Sequence, residues 1–384
     1  MKGRFKIAIV GGGVTGLALA NLLGRCAHAD TLDIMLMDAA PRPEFSVDDQ
    51  IALRVSAIAS GTANVLDSVG AWSHVVAARV SPYENMRVWD ENDSPDSGSA
   101  LRFDAAEFAV PQLGFIVENV LLQHALLKVL DDTDVVSHFD RAIESLPDAD
   151  LVVGADGANS LVRELAGIAS KRRPYEQTAF VTHLTPENGH SNTAWQRFLH
   201  DGPLGMLPLA DGRISVVWST TPELAQAALA ASDSEVGRML TDASDFALGK
   251  LTAAGPRGAF PLCAQHADEY VRSGVALIGD AAHAIHPLAG QGANLGVQDA
   301  VELARVIDHA ISHGLHPADK PVLRRYERAR KGANLTMLHL MTGLNRLFAT
   351  DSKLAAEIRM AGMRLFNRSG PIRERAVKVA LGVN

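Results

Sequence analysis

Cysteine is scarce in this chain. Cys26 and Cys263 are the only two in 384 residues, and they form no pattern of pairs. A disulfide framework is therefore not expected, and a reducing, cytoplasmic setting is. Long apolar runs are missing too. No uninterrupted stretch reaches the ~18 apolar residues of a membrane span. Lys2, Arg4 and Lys6 ahead of Ile7–Leu23 superficially resemble a secretory leader. Glycines interrupt that run, however, and a second strand ending at Asp38 follows it, so a strand–turn–helix is the better reading. No internal repeat of 20–50 residues stands out. Basic charge is lacking over most of the length. The first 323 residues hold 23 Lys and Arg against 40 Asp and Glu, a net −17. Such an acidic body argues against nucleic acid as a partner.

What is present is enough for two or three domains with a sizeable core. Apolar residues make up 47% and charged residues 21%, a globular balance. From Arg324 onward the charge reverses, with 13 basic residues against 4 acidic. That +9 segment either meets an anionic membrane surface or a partner in a biosynthetic complex, or forms a solvated helical face.

The residue pattern predicts an α/β fold. Ile7–Val10 and Asp33–Met37 read as buried strands around a helix at Val14–Leu23, a βαβ unit. Ser56–Val69 and Asn119–Leu130 carry helical spacing, and Ser94–Ser99 reads as an exposed loop. Leu151–Gly154 and Val275–Ile278 are again buried-type strands. Between them, Thr178–Leu184, Ala194–Leu199 and Ile214–Ser219 suit a mixed or antiparallel sheet. Ser232–Leu251, Ala293–Gly314 and Pro321–Phe348 read as helices. Strands of nucleotide-binding type thus bracket a β-rich insert. Two interleaved domains follow: a Rossmann-like domain from 1–75, 105–172 and 270–335, and a substrate domain from 76–104 and 173–269. Residues 336–384 form a C-terminal helical region. In it Met337, Met341, Leu344 and Phe348 make an apolar stripe, read as core packing ahead of a membrane- or partner-facing surface.

Gly11-x-Gly13-x-x-Gly16 sits after a strand and opens a helix. Gly11 permits the tight turn, Gly13 lets a pyrophosphate approach the backbone, and Gly16 allows close helix–sheet packing. Asp38, 22 residues after Gly16, can accept from ribose hydroxyls. This motif suits NAD as well as FAD. Residues 279–296 separate the two. Asp280 follows an apolar strand at Gly279, where it can accept from a polyol. Gly290, Gln291, Gly292, Ala293 and Asn294 then present backbone N–H groups at a helix start. Such a nest suits the flavin edge that becomes negative on reduction, and NAD has no such edge. Asp156 follows the Leu151–Gly154 strand, either as a turn residue or beside cofactor phosphates, with Arg163 nearby. His283 and His286 are three apart, but no convincing third ligand is near, so no metal is expected.

These residues resemble the FAD-dependent aromatic hydroxylases of the para-hydroxybenzoate hydroxylase fold, and within them the ubiquinone-biosynthesis hydroxylase family. Gly11–Gly16, Val153–Arg163 and Gly279–Gly296 with Asp299 carry the match. Supporting segments are Ala194–Phe198, Leu207–Leu209, Ser215–Trp218, Phe260–Leu262, the Arg54 segment with Ala57 and Ser60, and Leu323–Arg330. The similarity covers most of residues 5–350. Two departures stand out. Asp131–Asp150 is shorter than the family's hairpin-containing segment, and Ala52 stands where an acidic residue usually precedes Arg54.

The resemblance implies a class A flavin monooxygenase. NAD(P)H would reduce FAD, and a C4a-hydroperoxyflavin would pass its OH to a phenol ring. Gly11, Gly13, Gly16 and Asp38 would hold the ADP part, with Arg54 near the pyrophosphate and flavin. Asp156 would touch the region used by NAD(P)H, and Asp280 would bind the ribitol. Pro287 and Gly290–Asn294 would line the isoalloxazine. Asn119 and Gly279 join the cofactor-binding candidates, and His286 and Pro287 are the flavin-proximal ones. No general base is marked by sequence. The implied substrates are O₂ and a polyprenyl phenol, which would bring the protein to the inner membrane surface; a homo-oligomer remains open. Two other readings fit the same residues: a hydroxylase of a soluble phenol, and a non-catalytic FAD-binding component of a biosynthetic complex.

Overall fold

The computed structural model describes residues 4–286, 291–350 and 353–382. A six-stranded sheet is built around Phe5–Val10. Its order is Val271–Arg272, Val275–Leu277, Leu151–Gly154, Phe5–Val10, Leu32–Met37 and Val136–His138. Every neighbouring pair is parallel except the hairpin of the first two. Ile7 lies opposite both Ile34 and Leu151. Leu151–Gly154 and Val275–Leu277 are buried throughout, as expected for parallel strands covered on both faces. The helices Val14–Gly24, Asn119–Leu130 and Gln291–Ser312 supply Leu17, Leu23, Leu126, Val297 and Leu303 to the same core.

The second sheet has eight strands. Its order is His283–Ala284, Leu251–Ala267, Ser170–Pro186, Ile214–Thr220, Gly202–Pro208, Thr193–Leu199, Asn85–Asp90 and Leu101–Asp104. It is antiparallel apart from the pairing of Thr193–Leu199 with Asn85–Asp90. The period-2 alternation of a strand divides its faces. Phe180, Leu184, Leu204, Met206, Val216 and Trp218 pack against the helices Pro222–Ala230 and Asp233–Ala243. Ala179, Val181, Ser215 and Val217 point the other way and line a cavity. A small sheet of Val55–Ile58, Gly114–Glu118 and Ser81–Tyr83 closes that cavity's side.

Three readings of local structure need correction. Ser56–Val69 is not one helix: Val55–Ile58 is a strand paired with Gly114–Glu118, and the helix is Ser60–Ser68. Ser232–Leu251 is a helix only over Asp233–Ala243. Asp245, Phe246 and Gly249 then adopt positive φ, and Leu251 opens a 17-residue strand. In Ser94–Ser99, Ser99 is buried and its hydroxyl donates to Asp93. The short Asp131–Asp150 segment contributes one strand, Val136–His138, at the sheet edge.

The C-terminal helices Lys320–Phe348, Lys353–Asn367 and Pro371–Leu381 wrap back over both sheets. Phe348 stacks on Phe198 at 3.9 Å between centroids, and Met341 and Leu344 join the same cluster. This part of the apolar stripe is core packing. A buried Arg359–Asp90 ion pair, 2.7 Å, fastens the second of these helices to Asn85–Asp90. Gly382 reaches Gly61, where an added Cβ would come within 2.2 Å of the Gly382 carbonyl oxygen.

Candidate active site

One cavity of about 1090 Å³ runs from the first glycine turn to the eight-stranded sheet. Gly11, Gly13, Asp38, Arg54, Asn119, Asp156, Asp280, Gly292 and Ala293, nine of the cofactor-binding candidates, all line it.

The first turn behaves as its spacing predicts. Gly11 has φ +115°, and a Cβ there would lie 2.2 Å from the Ala155 oxygen. At Gly16 a Cβ would lie 2.0 Å from the Gly11 oxygen, so this glycine serves helix–strand packing. A Cβ at Gly13 meets nothing within 4 Å, so the backbone there is open to the cavity. Asp38 accepts from the Gly12 and Ala40 amides.

Arg54 is exposed on the opposite wall. Its carbonyl accepts from the Asn119 amide, and Ser56 Oγ donates to Asn119 Oδ1 at 2.7 Å. Ala52, which replaces the usual acidic residue, is met by a carboxylate from elsewhere. Glu118, 4% exposed, accepts from the Ala52 amide at 2.7 Å and from Arg79 Nε at 2.6 Å. Sequence reading missed Glu118 and Arg79: strand pairing across 63 residues brings Glu118 to the Arg54 segment, and Arg79 reaches it from the end of the Ala71–Ala78 helix.

Asp156 is engaged locally. Its carboxylate accepts from Ser160 Oγ and the Val162 amide, which fits the turn reading. Arg163 is oriented by other groups: it donates to the Ala158 and Ala281 carbonyls, both at 2.9 Å. It thereby ties the Asp156 turn to the Gly279–Gly296 segment.

Gly279, φ +58°, faces Thr15 of the first helix, so the two glycine motifs touch directly. Its amide donates to Asp299, which is fully buried. Asp299 also accepts from Arg330 Nε at 2.7 Å and Asn334 Nδ2 at 3.0 Å, and lies 2.6 Å from His283 Nε2. Burial pushes its pKa up, but His283 and Arg330 prevail and hold it below the usual carboxylate range. Tyr326 of the same helix donates to the Leu277 carbonyl, so the Leu323–Arg330 segment pins the strand that delivers Asp280. Asp280 itself stands in the cavity wall, reachable by solvent but closely surrounded by protein. That confinement raises its pKa, against the lowering effect of His283 and Arg54.

Gln291, Gly292, Ala293 and Asn294 form the first turn of Gln291–Ser312, whose amides lack intrahelical partners. The Asn294 side chain reaches away from a ligand: it accepts from the Ala59 amide and donates to the Ala57 carbonyl. His286 is not among the residues lining the cavity. Its Nε2 lies 3.2 Å from Gln177 Oε1, and Tyr175 packs edge-on against the ring. Burial pushes its pKa down to about 4. Pro287 and Gly290 lie outside the described residues. Among the described residues, no three His, Cys, Asp or Glu side chains gather as a metal site.

The residues fit FAD. An anion has an open glycine turn at a helix N-terminus, a polyol has a carboxylate at Asp280, and a second helix start faces the same cavity.

Comparison with known proteins agrees. Residues 4–338 match the family model described as FAD binding domain. The 3-demethoxyubiquinol 3-hydroxylase of Escherichia coli (strain K12) is 36% identical, over 98% of each chain. The human mitochondrial ubiquinone biosynthesis monooxygenase COQ6 is 34% identical, over 98% of this chain and 92% of that one. Among solved structures, p-nitrophenol 4-monooxygenase PnpA from Pseudomonas putida DLL-E4 superposes with a TM-score of 0.76 at 18% identity, over all of both chains. PqsL of P. aeruginosa in complex with 2-aminobenzoylacetate gives 0.75 at 22%, over 94% of this chain and 99% of that one. The fold is that of the FAD-dependent monooxygenases, and the sequence relatives place the chain in that class. Within that class, the chain belongs to the family of the ubiquinone-biosynthesis hydroxylases.

Proposed function

We propose that this enzyme hydroxylates the ring of a polyprenyl phenol on the way to ubiquinone, with NAD(P)H and O₂ as co-substrates. The cavity carries the reading. At about 1090 Å³ it exceeds the ~300–1,000 Å³ of pockets for a single drug-sized ligand, and it joins a dinucleotide turn to the apolar wall of Ala179, Val181, Val217, Phe260 and Leu262.

Bound FAD supplies electron transfer and activation of O₂. The chain supplies the rest. Gly11, Gly13, Gly16 and Asp38 hold the ADP part, and Asp280 takes the ribitol hydroxyls. Arg54 and Asn119 face the pyrophosphate and flavin from the far wall. Pro287 lines the isoalloxazine, and the Gly290–Asn294 amides receive negative charge at the ring. Asp156 orders the loop beside the NAD(P)H approach. The apolar sheet face excludes water from the reacting ring. In this reading 1–75, 105–172 and 270–335 are the FAD domain, 76–104 and 173–269 the substrate domain, and 336–384 a helical region.

A membrane-borne substrate calls for contact with lipid. Leu354, Ile358, Leu365 and Ile372 are all more than half exposed, in a region rich in Arg and Lys. An apolar surface with cationic neighbours suits an anionic interface. No helix among the described residues is long and apolar enough to cross a membrane.

The test is turnover of a short-tailed polyprenyl phenol by the purified holoenzyme under ¹⁸O₂. One ¹⁸O atom is expected in the product ring. NAD(P)H oxidation without label in the ring would overturn the reading.

A further inference from the structure

The cavity face of the eight-stranded sheet is apolar at Ala179, Val181 and Val217, then becomes polar. His183 is the next residue on that face of Ser170–Pro186, and Ser215 is its direct partner across the antiparallel ladder. Such partners hold their Cβ atoms ~4.5–5.5 Å apart. Both residues are fully buried. Ser215 lines the cavity, and His183 sits beside it without lining it. The Ser215 Oγ has no hydrogen-bond partner, and the His183 ring has none at full hydrogen-bond geometry, only the Leu53 backbone close by. A buried polar atom without a full partner carries a desolvation cost, which a bound polar group would offset.

The neighbourhood makes the pair selective. Burial, reinforced by Arg213, pushes the His183 pKa down to about 4. At neutral pH the imidazole is therefore uncharged and offers one N–H and one bare nitrogen. The hydroxyl of Ser215 adds a donor and an acceptor. Leu53 covers the site: it lines the cavity, and its side chain lies against Gly258 on the same face. Gly255 leaves space beside the His183 Cβ. The strand is irregular here, with a register shift between Thr182 and Leu184.

We propose that His183 and Ser215 form the polar end of the ring pocket and bind the hydroxyl of the phenolic substrate. The phenol donates to the bare imidazole nitrogen and accepts from Ser215 Oγ. An uncharged acceptor leaves the phenol protonated on binding, and the two contacts fix which ring carbon faces the flavin. This proposal rests on the hydroxylase reading above.

The test uses the FAD-loaded enzyme and two ligands: a short-tailed polyprenyl phenol and the same ring without its hydroxyl. Binding is read from the flavin absorbance change. The wild type is expected to prefer the phenol by about tenfold or more. Ser215→Ala and His183→Ala should each reduce that preference about three- to tenfold, while affinity for the deoxy ring stays the same. Ser215→Ala removes a single oxygen, so it carries the test if His183→Ala fails to hold FAD. Equal weakening of both ligands, or an unchanged preference, would overturn the proposal. If the wild type binds neither ring but keeps its FAD, the substrate reading itself falls. If it binds both equally, only the His183–Ser215 assignment falls.

Discussion

The two glycine-rich motifs do similar jobs by different means. Gly11–Gly16 is almost self-sufficient: its constraints are a positive φ and two close approaches, one of them to its own Gly11 carbonyl. Gly279–Gly296 depends on remote support. Its strand end is held by Tyr326, its first amide by Asp299, and Asp299 by Arg330 and Asn334. A turn built from backbone geometry needs the right residue at the right spacing. A turn held by a buried ion network also needs a helix 30 residues further on to be in place.

The largest test of that contrast is Asp299→Asn. It leaves the largely buried Arg330 without its charge partner, and breaking a pair buried on one side costs up to ~3–5 kcal/mol. Denaturant unfolding should show this loss together with reduced FAD content, although Asp299 does not line the cavity. Unchanged stability would make the second motif as self-contained as the first.

Gly11→Ala comes next. A Cβ 2.2 Å from a backbone oxygen at φ +115° should cost roughly 2–3 kcal/mol through strain and displacement of the Ala155 turn. Gly13→Ala, with no atom in the way, should stay within about 0.5 kcal/mol of the wild type and still bind FAD more weakly. If the two variants unfold alike, the division of labour within the turn is wrong.

The last test is the acid response. His183 and His286 titrate near 6.5 when unfolded and at about 4 in the fold. Below pH 6.5 the unfolded chain therefore binds protons that the fold refuses, and stability falls as pH drops from 6.5 to about 4. His286→Asn should flatten the urea midpoint over that window. The Asp299 network acts at lower pH, since its depressed carboxylate stabilises the fold until its own titration.

The same contrast governs what could be read in advance. The βαβ unit, the Asn119–Leu130 helix and the backbone geometry at Gly11 and Gly16 follow from local spacing, and the sequence pattern places them correctly. Glu118 against Ala52 could not be read that way, because its meaning arises only when Val55–Ile58 pairs with Gly114–Glu118. The same pairing turned Ser56–Ile58 from helix to strand. Ser232–Leu251 kept helical periodicity past Ala243, but Leu251 is claimed by the long ladder with Ser170–Pro186. Asp299 was visible as part of a motif, yet its work depends on Arg330. His183 left no signal at all, since a histidine in a strand becomes distinctive only once its face and partner are known.

The strand order carries a consequence for biosynthesis. Leu151–Gly154 is flanked on one side by Phe5–Val10 and on the other by Val275–Leu277. At ~5–20 residues per second, a ribosome needs roughly 6–25 s to supply the 123 residues between Gly154 and Leu277. Through that interval the nascent chain carries an open, wholly apolar strand edge, the kind of template on which chains aggregate. Yield in a cell should therefore depend on chaperone capture of the growing chain as well as on the stability of the finished one.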